Sequence, residues 1–250
     1  MRILLSLLFL VVAIPSHARR QFDIEVIIFK RITDAEQTTE SWPNVLPKIE
    51  LKHAGYLNDA NYRSRKSVIL MGKDQLELKE QAQRLDEHAG FELLLHTGWR
   101  QSDRNTPTFH IQAGRDFSDE FNPDGSQRIQ ERQANAFNNA PVPYSFQPVY
   151  ELDGKLRVFV DHYLYADVTL DLKAPNVREV TLQPKVIDFD FEQRSNSVQI
   201  GFLEDITPTL IKERFLKPYR MDQKRRMRSS ETHFLDHPLL GIVIQTRRVE

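Results

Sequence analysis

The chain has 250 residues, 40% of them hydrophobic, with 34 lysines and arginines, 35 aspartates and glutamates, and no cysteine. The lack of cysteine excludes a disulfide framework, so an apolar core must hold the protein together, and the composition is sufficient for one. The nearly neutral charge does not suit a nucleic-acid-binding protein. An electrostatic partner would therefore have to meet a local patch.

The first residues have the organisation of an export signal. A cationic start precedes an apolar run at 3–14, and the small residues Ser16 and Ala18 stand before the predicted cut. Twelve residues are too few to span a bilayer, which needs about 20. We therefore predict a signal peptide at 1–18, one globular domain at 19–250, and no membrane insertion after cleavage.

The first strand is predicted directly after this signal. In FDIEVIIFKR, at 22–31, alternate apolar residues share one face, and Ile27 and Phe29 make the second face apolar as well, which predicts a central strand. Two polar segments, at about 32–65 and 114–147, are predicted to be long loops, because they are rich in proline, asparagine and glutamine.

A helix is predicted between two further strands. Its apolar residues recur at intervals of three and four: Leu78, Ala82, Leu85 and Ala89. Asp74 is the expected N-cap, and Gly90 is expected to end the helix. A short strand at 67–71 precedes the helix and a strand at 91–101 follows it.

The most regular stretch lies at 149–173. Asp153-Gly154 predicts a two-residue hairpin turn, followed by one alternating strand of about 55 Å, which we expect to bend or to be interrupted. His162 is the single break in its apolar face. The opposite face carries polar and aromatic residues: Arg157, Phe159, Asp161, Tyr163, Tyr165, Asp167, Thr169 and Asp171.

A second hairpin is predicted near the C-terminus. It consists of a strand at about 225–235, a turn at 236–238 and a return strand at 239–249, because a residue before proline favours extended or turn geometry. The elements together predict an α+β protein, with a mainly antiparallel sheet and at least one packing helix.

Known catalytic motifs are missing from the sequence. It has no thiol nucleophile, no S-x-x-K, G-x-S-x-G or H-E-x-x-H, and no phosphate-binding G-x-x-x-x-G-K. We therefore expect no enzyme and no cofactor.

Two weaker arrangements leave catalysis open as an alternative. His233, Asp236 and His237, with His162 as a fourth ligand, have side chains that zinc accepts, although a turn would have to bring them together. Asp188 and Asp190 share a strand face at about 7 Å, close to the separation of glycosidase carboxylates. Pairs of this kind are common on solvated strands, and a hairpin tip whose aspartate accepts backbone N–H groups is the favoured interpretation of the first group.

A basic segment is a stronger feature in a chain of neutral balance. Residues 212–228 contain eight cations and two acids. Arg226 and Arg228 are predicted on one strand face, where two guanidinium groups could hold carboxylates in bidentate fashion. The alternative is a solvated face paired with acids such as Asp161 or Asp167.

Aromatic rings accompany this segment. Tyr163 and Tyr165 share the polar face of the long strand with Phe159, and Trp99 precedes Arg100-Gln101. Flat rings beside charged groups suit a sugar polymer with carboxylate-bearing stems, or else a sheet face covered by a helix.

Four motifs in order resemble the CsiV family of periplasmic peptidoglycan-binding proteins. They are FDIEVIIFKR, LLLHTGWRQ, ELDGKLRVFVDHYLYADVTLDL and RRMRSSETHFLDHPLLGIVI, and together they span most of the chain after residue 18. The resemblance implies a non-enzymatic protein of the Gram-negative periplasm that binds peptidoglycan and supports cell-wall integrity and cell shape.

The family supplies no ligand residues, so the binding residues follow from the chain alone. We expect Arg226 and Arg228 to hold stem-peptide carboxylates, and Tyr163, Tyr165 and Trp99 to lie against sugar rings. Other periplasmic wall-synthesis proteins are further expected partners. A metal-dependent wall hydrolase and an envelope protein–protein interaction module remain the alternatives.

Overall fold

Strands dominate the computed structural model, which describes residues 20–128, 147–182 and 209–249. The strands of these ranges are β1 Gln21–Arg31, β2 Gly55–Tyr56, β3 Ile69–Leu70, β4 Phe91–Ser102, β5 Thr108–Asp116, β6 Tyr150–Asp161, β7 Tyr163–Leu182, β8 Thr209–Met227, β9 Thr232–Asp236 and β10 Leu240–Val249. The helices are α1 Ala60–Lys66 and α2 Lys79–Glu87, with 3₁₀ turns at Ala35–Gln37 and Lys73–Gln75.

The strands form two five-stranded sheets. Sheet A has the order β3-β4-β1-β10-β9, and sheet B has the order β2-β5-β6-β7-β8. The pairings of sheet A are antiparallel, whereas the short β2 runs parallel to β5. The mainly antiparallel sheet is confirmed, and the α part of the predicted α+β class amounts to two short helices in the described residues.

The chain divides into two compact units. The first comprises Met1–Arg115, Tyr150–Lys173 and Pro218–Glu250, and the second comprises Asp116–Val149 and Ala174–Lys217. In the second unit, Phe117, Phe121, Val149 and Leu216 form an apolar cluster. The single domain at 19–250 stays a prediction, and the signal peptide at 1–18 lies outside the described residues.

β1 is the central strand of sheet A, as its two apolar faces predict. It pairs with β10 on one side and β4 on the other. Ile27 and Phe29 pack against Leu78, the N-cap residue of α2, and against Ala82 within the helix. The helix therefore covers one face of sheet A.

The other face of sheet A is closed by sheet B. Trp99 of β4 meets Phe109 of β5 edge-to-face, with ring centroids 4.9 Å apart. The amide of Gln101 donates to the Val158 carbonyl oxygen at 2.7 Å. Both rings are fully buried, and apolar side chains of β1 and β6 share this core, including Ile24, Ile28, Leu156 and Val158.

The capping of α2 differs from the prediction. The helix begins at Lys79, and its N-cap residue Leu78 makes no side-chain capping hydrogen bond. Instead the Glu25 carboxylate of β1 accepts the backbone N–H groups of Glu77 and Leu78, each at 2.8 Å. Asp74 lies in the preceding 3₁₀ turn, so it does not cap α2.

The predicted turn at Asp153-Gly154 is wrong, because β6 runs straight through both residues. The hairpin turns at His162, whose φ of 57° is left-handed, and Asp161 pairs with Tyr163 across it. The predicted interruption of the long strand is therefore confirmed. Gly154 is required for another reason: a Cβ there would overlap the Thr169 carbonyl oxygen of β7.

The C-terminal hairpin is confirmed in its turn and return strand, since β9 pairs antiparallel with β10. Its first strand is shorter than predicted. The chain leaves sheet B at Met227, turns at Ser230 with a left-handed φ of 68°, and enters sheet A at Thr232.

The long loop predicted at 32–65 contains regular structure that the sequence analysis missed. Asp59 caps α1 by accepting the N–H groups of Asn61 and Tyr62. Of the loop predicted at 114–147, residues 129–146 lie outside the described residues. No helix in the described ranges is long and apolar enough to cross a membrane.

Candidate functional site: a cation–aromatic patch

Aromatic rings gather at the tip of the β6–β7 hairpin, on the face of sheet B that points away from the buried leucines and valines. Phe159 is paired with Tyr165, and Asp161 with Tyr163. The rings of Phe159 and Tyr165 stack with centroids 5.6 Å apart and an interplanar angle of 28°. The predicted sharing of one face by Phe159, Tyr163 and Tyr165 is therefore confirmed.

Cations from two strands lie over these rings. The Lys224 ammonium is 5.2 Å from the Phe159 centroid and 5.0 Å from that of Tyr165. The Arg226 guanidinium carbon is 3.3 Å from the Tyr163 centroid, and that of Arg157 is 4.5 Å from the Phe159 centroid. We name the whole group the cation–aromatic patch: Arg157, Phe159, Tyr163, Tyr165, Lys224 and Arg226.

The three cations of the patch have no acidic partner in the described part of the chain. Arg157 donates to the Thr106 hydroxyl at 3.3 Å, while Lys224 and Arg226 make neither an ion pair nor a side-chain hydrogen bond there. The rings hold the cations instead, at about 0.5–1 kcal/mol for each exposed contact. Their charges remain available to a ligand.

Further along the same face the charges are neutralised. Arg220 binds both carboxylate oxygens of Asp171, at 2.8 and 2.9 Å. Asp153 accepts from His110 and pairs with Lys173. Burial opposes ionisation of Asp153, but the His110 hydrogen bond and the Lys173 charge outweigh it and lower its pKa to about 2. Arg220 and Lys173 are thus neutralised by carboxylates, unlike the cations at the tip.

The patch is open to solvent. Tyr163 is 48% exposed, and Arg157, Lys224 and Arg226 are exposed, whereas Phe159 and Tyr165 are half-buried beneath the cations. A ligand approaching this face would meet the cations first and the rims of the rings next.

Trp99 does not belong to this surface, which corrects the expectation that it contacts sugar. Its side chain is 0% exposed, and its indole N–H donates to Gln101 at 2.7 Å. The alternation of β4 directs Trp99 into the core between the sheets, beside Phe109.

Arg228 also lies elsewhere than predicted. It follows the end of β8, so it shares no strand face with Arg226. Its side chain is 78% exposed and approaches Glu231 at 3.6 Å. No ring contact joins Arg228 to the patch in the described residues.

The four proposed zinc ligands have separate roles. His162 forms the β6–β7 turn and is 91% exposed, His233 Nε2 accepts the Arg228 N–H at 3.0 Å, and Asp236 pairs with Arg31. His237 is buried, which lowers its pKa, and its Nδ1 accepts the Leu239 N–H at 3.2 Å. Within 20–128, 147–182 and 209–249, no group of three or more such residues could hold a metal ion.

The acidic pair Asp188 and Asp190 lies outside the described residues. The alternative that Arg226 or Arg228 pairs with Asp161 or Asp167 is not found in the ion pairs of the described ranges; Asp161 pairs with His162.

Sequence reasoning missed Arg157, Phe159 and Lys224 as members of the site. The alternation of side chains already placed Arg157 and Phe159 on the same face as the tyrosines. Lys224 is two residues before Arg226 and so lies on the same face of β8. The sequence did not show that β8 pairs with β7. Alternation tells which side chains share a face of one strand, but it does not tell which strand lies next to it.

The fold and the patch define a two-sheet β protein that displays unpaired cations on aromatic rings. Comparison with protein families places the chain in one of them. The CsiV family model, described as "Peptidoglycan-binding protein, CsiV", matches residues 1–249, so the chain belongs to the CsiV family. The chain matches no curated protein and no solved structure.

Proposed function

We propose that this protein binds peptidoglycan at the cation–aromatic patch. The observation that carries the proposal is a row of exposed cations without acidic partners in the described residues, on a chain whose family is described as peptidoglycan-binding. Peptidoglycan joins a sugar chain to stem peptides with free carboxylates, and exposed cations bind such groups.

Arg226 has the central role in this proposal. Its guanidinium can donate two parallel hydrogen bonds to one carboxylate, and Tyr163 beneath it fixes its position. Lys224 adds a second charge over Phe159 and Tyr165. Arg228 has no contact with the patch in the described residues, so it is replaced in the control variant.

The protein acts in the periplasm of a Gram-negative cell, as a non-enzymatic protein that supports wall integrity and cell shape. The apolar run after the cationic start supports export, and the absence of known catalytic motifs in the sequence supports a binding role.

A pull-down with purified sacculi tests the proposal. The chain without residues 1–18 should sediment with sacculi, and Lys224→Ala/Arg226→Ala should reduce the sedimented fraction about tenfold, since two charged contacts are lost. Bound and free protein are measured after centrifugation.

The matched control is Arg225→Ala/Arg228→Ala. It removes the same charge from the same segment but leaves the patch contacts intact, so it should sediment like the wild type. Equal recovery of both double variants would refute the patch, and a loss with the control would mean that binding depends on Arg228 or on charge in general. A wild type that stays in the supernatant would refute peptidoglycan binding.

A further inference from the structure

We infer that the patch recognises the carboxylates of the stem peptides and not the sugar chain, with its aromatic rings serving as supports for the cations. This inference rests on the proposed function and assigns the part of peptidoglycan that is bound. It replaces the expectation that Tyr163 and Tyr165 lie against sugar rings.

Cations already occupy the faces of the rings. A sugar stacks on an aromatic face at van der Waals distance, about 3.5–4.0 Å. At Tyr163 the Arg226 guanidinium already holds that position, 3.3 Å from the centroid. Phe159 carries both Arg157 and Lys224, and Lys224 also lies over Tyr165. A sugar would have to displace a cation from each ring.

The cations of the patch also have unused hydrogen-bond donors. A guanidinium has five N–H donors and an ammonium has three. Arg226 and Lys224 make no side-chain hydrogen bond in the described ranges, and both are exposed. A carboxylate can therefore bind them without breaking an existing ion pair, which distinguishes them from Arg220, bound to Asp171.

The spacing of the cations also favours a ligand with several carboxylates. Lys224 and Arg226 are two residues apart on β8, so their side chains project from the same face about 7 Å apart. This spacing suits a ligand with two or more carboxylates on one short chain. A stem peptide with several free carboxylates has this chemistry, whereas an uncharged sugar chain has none.

The rings have a positioning function in this arrangement. Tyr163 restricts Arg226, so less side-chain freedom is lost when a carboxylate binds. The ring is required for this role and its hydroxyl is not. Tyr163→Phe should therefore bind like the wild type, whereas Tyr163→Leu should bind several-fold more weakly.

The test uses the chain without residues 1–18 and four soluble or suspended probes. They are a disaccharide-peptide with free carboxylates, the same molecule with its carboxylates converted to amides, glycan chains stripped of peptides whose lactyl carboxylates are also converted to amides, and vesicles containing an anionic phospholipid. Affinities are measured by calorimetry or by sedimentation at two salt concentrations, and unfolding in urea is recorded for each variant.

The free carboxylate probe should bind, and amidation should weaken binding about tenfold or more, because hydrogen bonds to charged groups are lost. Higher salt should weaken it too, since exposed charges are screened. Lys224→Ala/Arg226→Ala should lose this binding and Arg225→Ala should keep it. Tyr163→Leu should weaken binding without changing the urea midpoint of unfolding.

The outcomes separate the inference from the proposed function. Binding of stripped glycan chains as tight as that of the free carboxylate probe would refute the inference and leave peptidoglycan binding intact. Binding of the vesicles but not of the peptide probe would mean that the patch binds phosphate groups, and this result would refute the inference too. Failure to bind both sacculi and all peptidoglycan probes would refute the proposed function.

Discussion

At the scale of single residues, Glu25 shows how one side chain connects several elements. It is fully buried in β1, where it accepts hydrogen bonds from His96 and from the start of α2, and it pairs with Arg247 of β10. Burial alone would raise its pKa, but these donors outweigh burial and lower the pKa below the ordinary value. The carboxylate therefore ties the helix to three strands.

Replacing Glu25 should destabilise the protein strongly, unlike replacing Asp74. Glu25→Gln leaves buried donors without a charged acceptor and should lower the free energy of unfolding by about 3 kcal/mol. Asp74→Ala removes an exposed carboxylate that does not cap α2 and should stay within about 0.5 kcal/mol. Urea unfolding measures both, and equal losses would contradict the capping role of Glu25.

At the scale of elements, the β6–β7 hairpin sets the geometry of the patch. Its register places Phe159 beside Tyr165 and Asp161 beside Tyr163. That register depends on the turn at His162 and on Gly154, over which the Thr169 carbonyl passes closely. An Asp-Gly pair can thus be required for close packing of two strands rather than for a turn.

Two substitutions distinguish these roles. Gly154→Ala should lower the free energy of unfolding by about 2 kcal/mol or more, because the new methyl group overlaps Thr169 in a strained backbone conformation. His162→Gly should change it by less than about 1 kcal/mol, because glycine accepts a left-handed φ at a turn. Thermal or urea unfolding compares them. A tolerated alanine would contradict the close packing of Gly154 against Thr169, and a damaging glycine would contradict the left-handed turn at His162.

At the scale of the whole molecule, one buried and one half-buried carboxylate with lowered pKa values make the folded state sensitive to acid. Glu25 in sheet A and Asp153 in sheet B belong to the first unit and are both stabilised in the ionised form. Folded pKa values below the unfolded ones mean that the unfolded chain takes up protons first as the pH falls. Their stabilisation is complete above the unfolded pKa values of 4.5 and 3.8 and is lost as the pH falls from these values through the folded ones.

The free energy of unfolding should therefore fall as the pH drops from about 4.5 towards 2. Asp153→Asn should be less stable at pH 7 and should show a shallower decline between pH 3.8 and about 2, the range set by its unfolded and folded pKa values. Urea unfolding at several pH values, followed by circular dichroism, measures the slope. An unchanged slope in the variant would show that Asp153 does not contribute to it.

Much of the fold could be predicted because strand and helix periodicity are local. The two apolar faces of the first strand, the helix over Leu78 and Ala82, and the C-terminal hairpin all follow from residues close in the chain. The errors occurred where a distant group competes with a local one. Glu25 replaces Asp74 as the cap of α2. Gly154 lies within β6, where the close approach of β7 leaves no room for a side chain, and not in a turn.

The candidate site was predicted in part for the same reason. Tyr163 and Tyr165 are two residues apart, which predicts that they share one strand face. The excess of cations at 212–228 predicted a basic segment that contains Arg226. The sequence could not show that Trp99 is buried against Phe109, nor that Lys224 lies over Phe159. Both facts depend on which sheet faces or strands become neighbours.

The sequence by itself determined several strands, among them β1, β4 and β10, the alternation of side chains along them, the excess of cations near the C-terminus and the family of the protein. Only the tertiary structure decided that β8 lies beside β7, which puts Arg226 over Tyr163 and leaves its charge free of acidic partners in the described residues. The physical reason is that side-chain alternation is fixed residue by residue, whereas the choice of a neighbouring strand is fixed by the sum of contacts between distant parts of the chain.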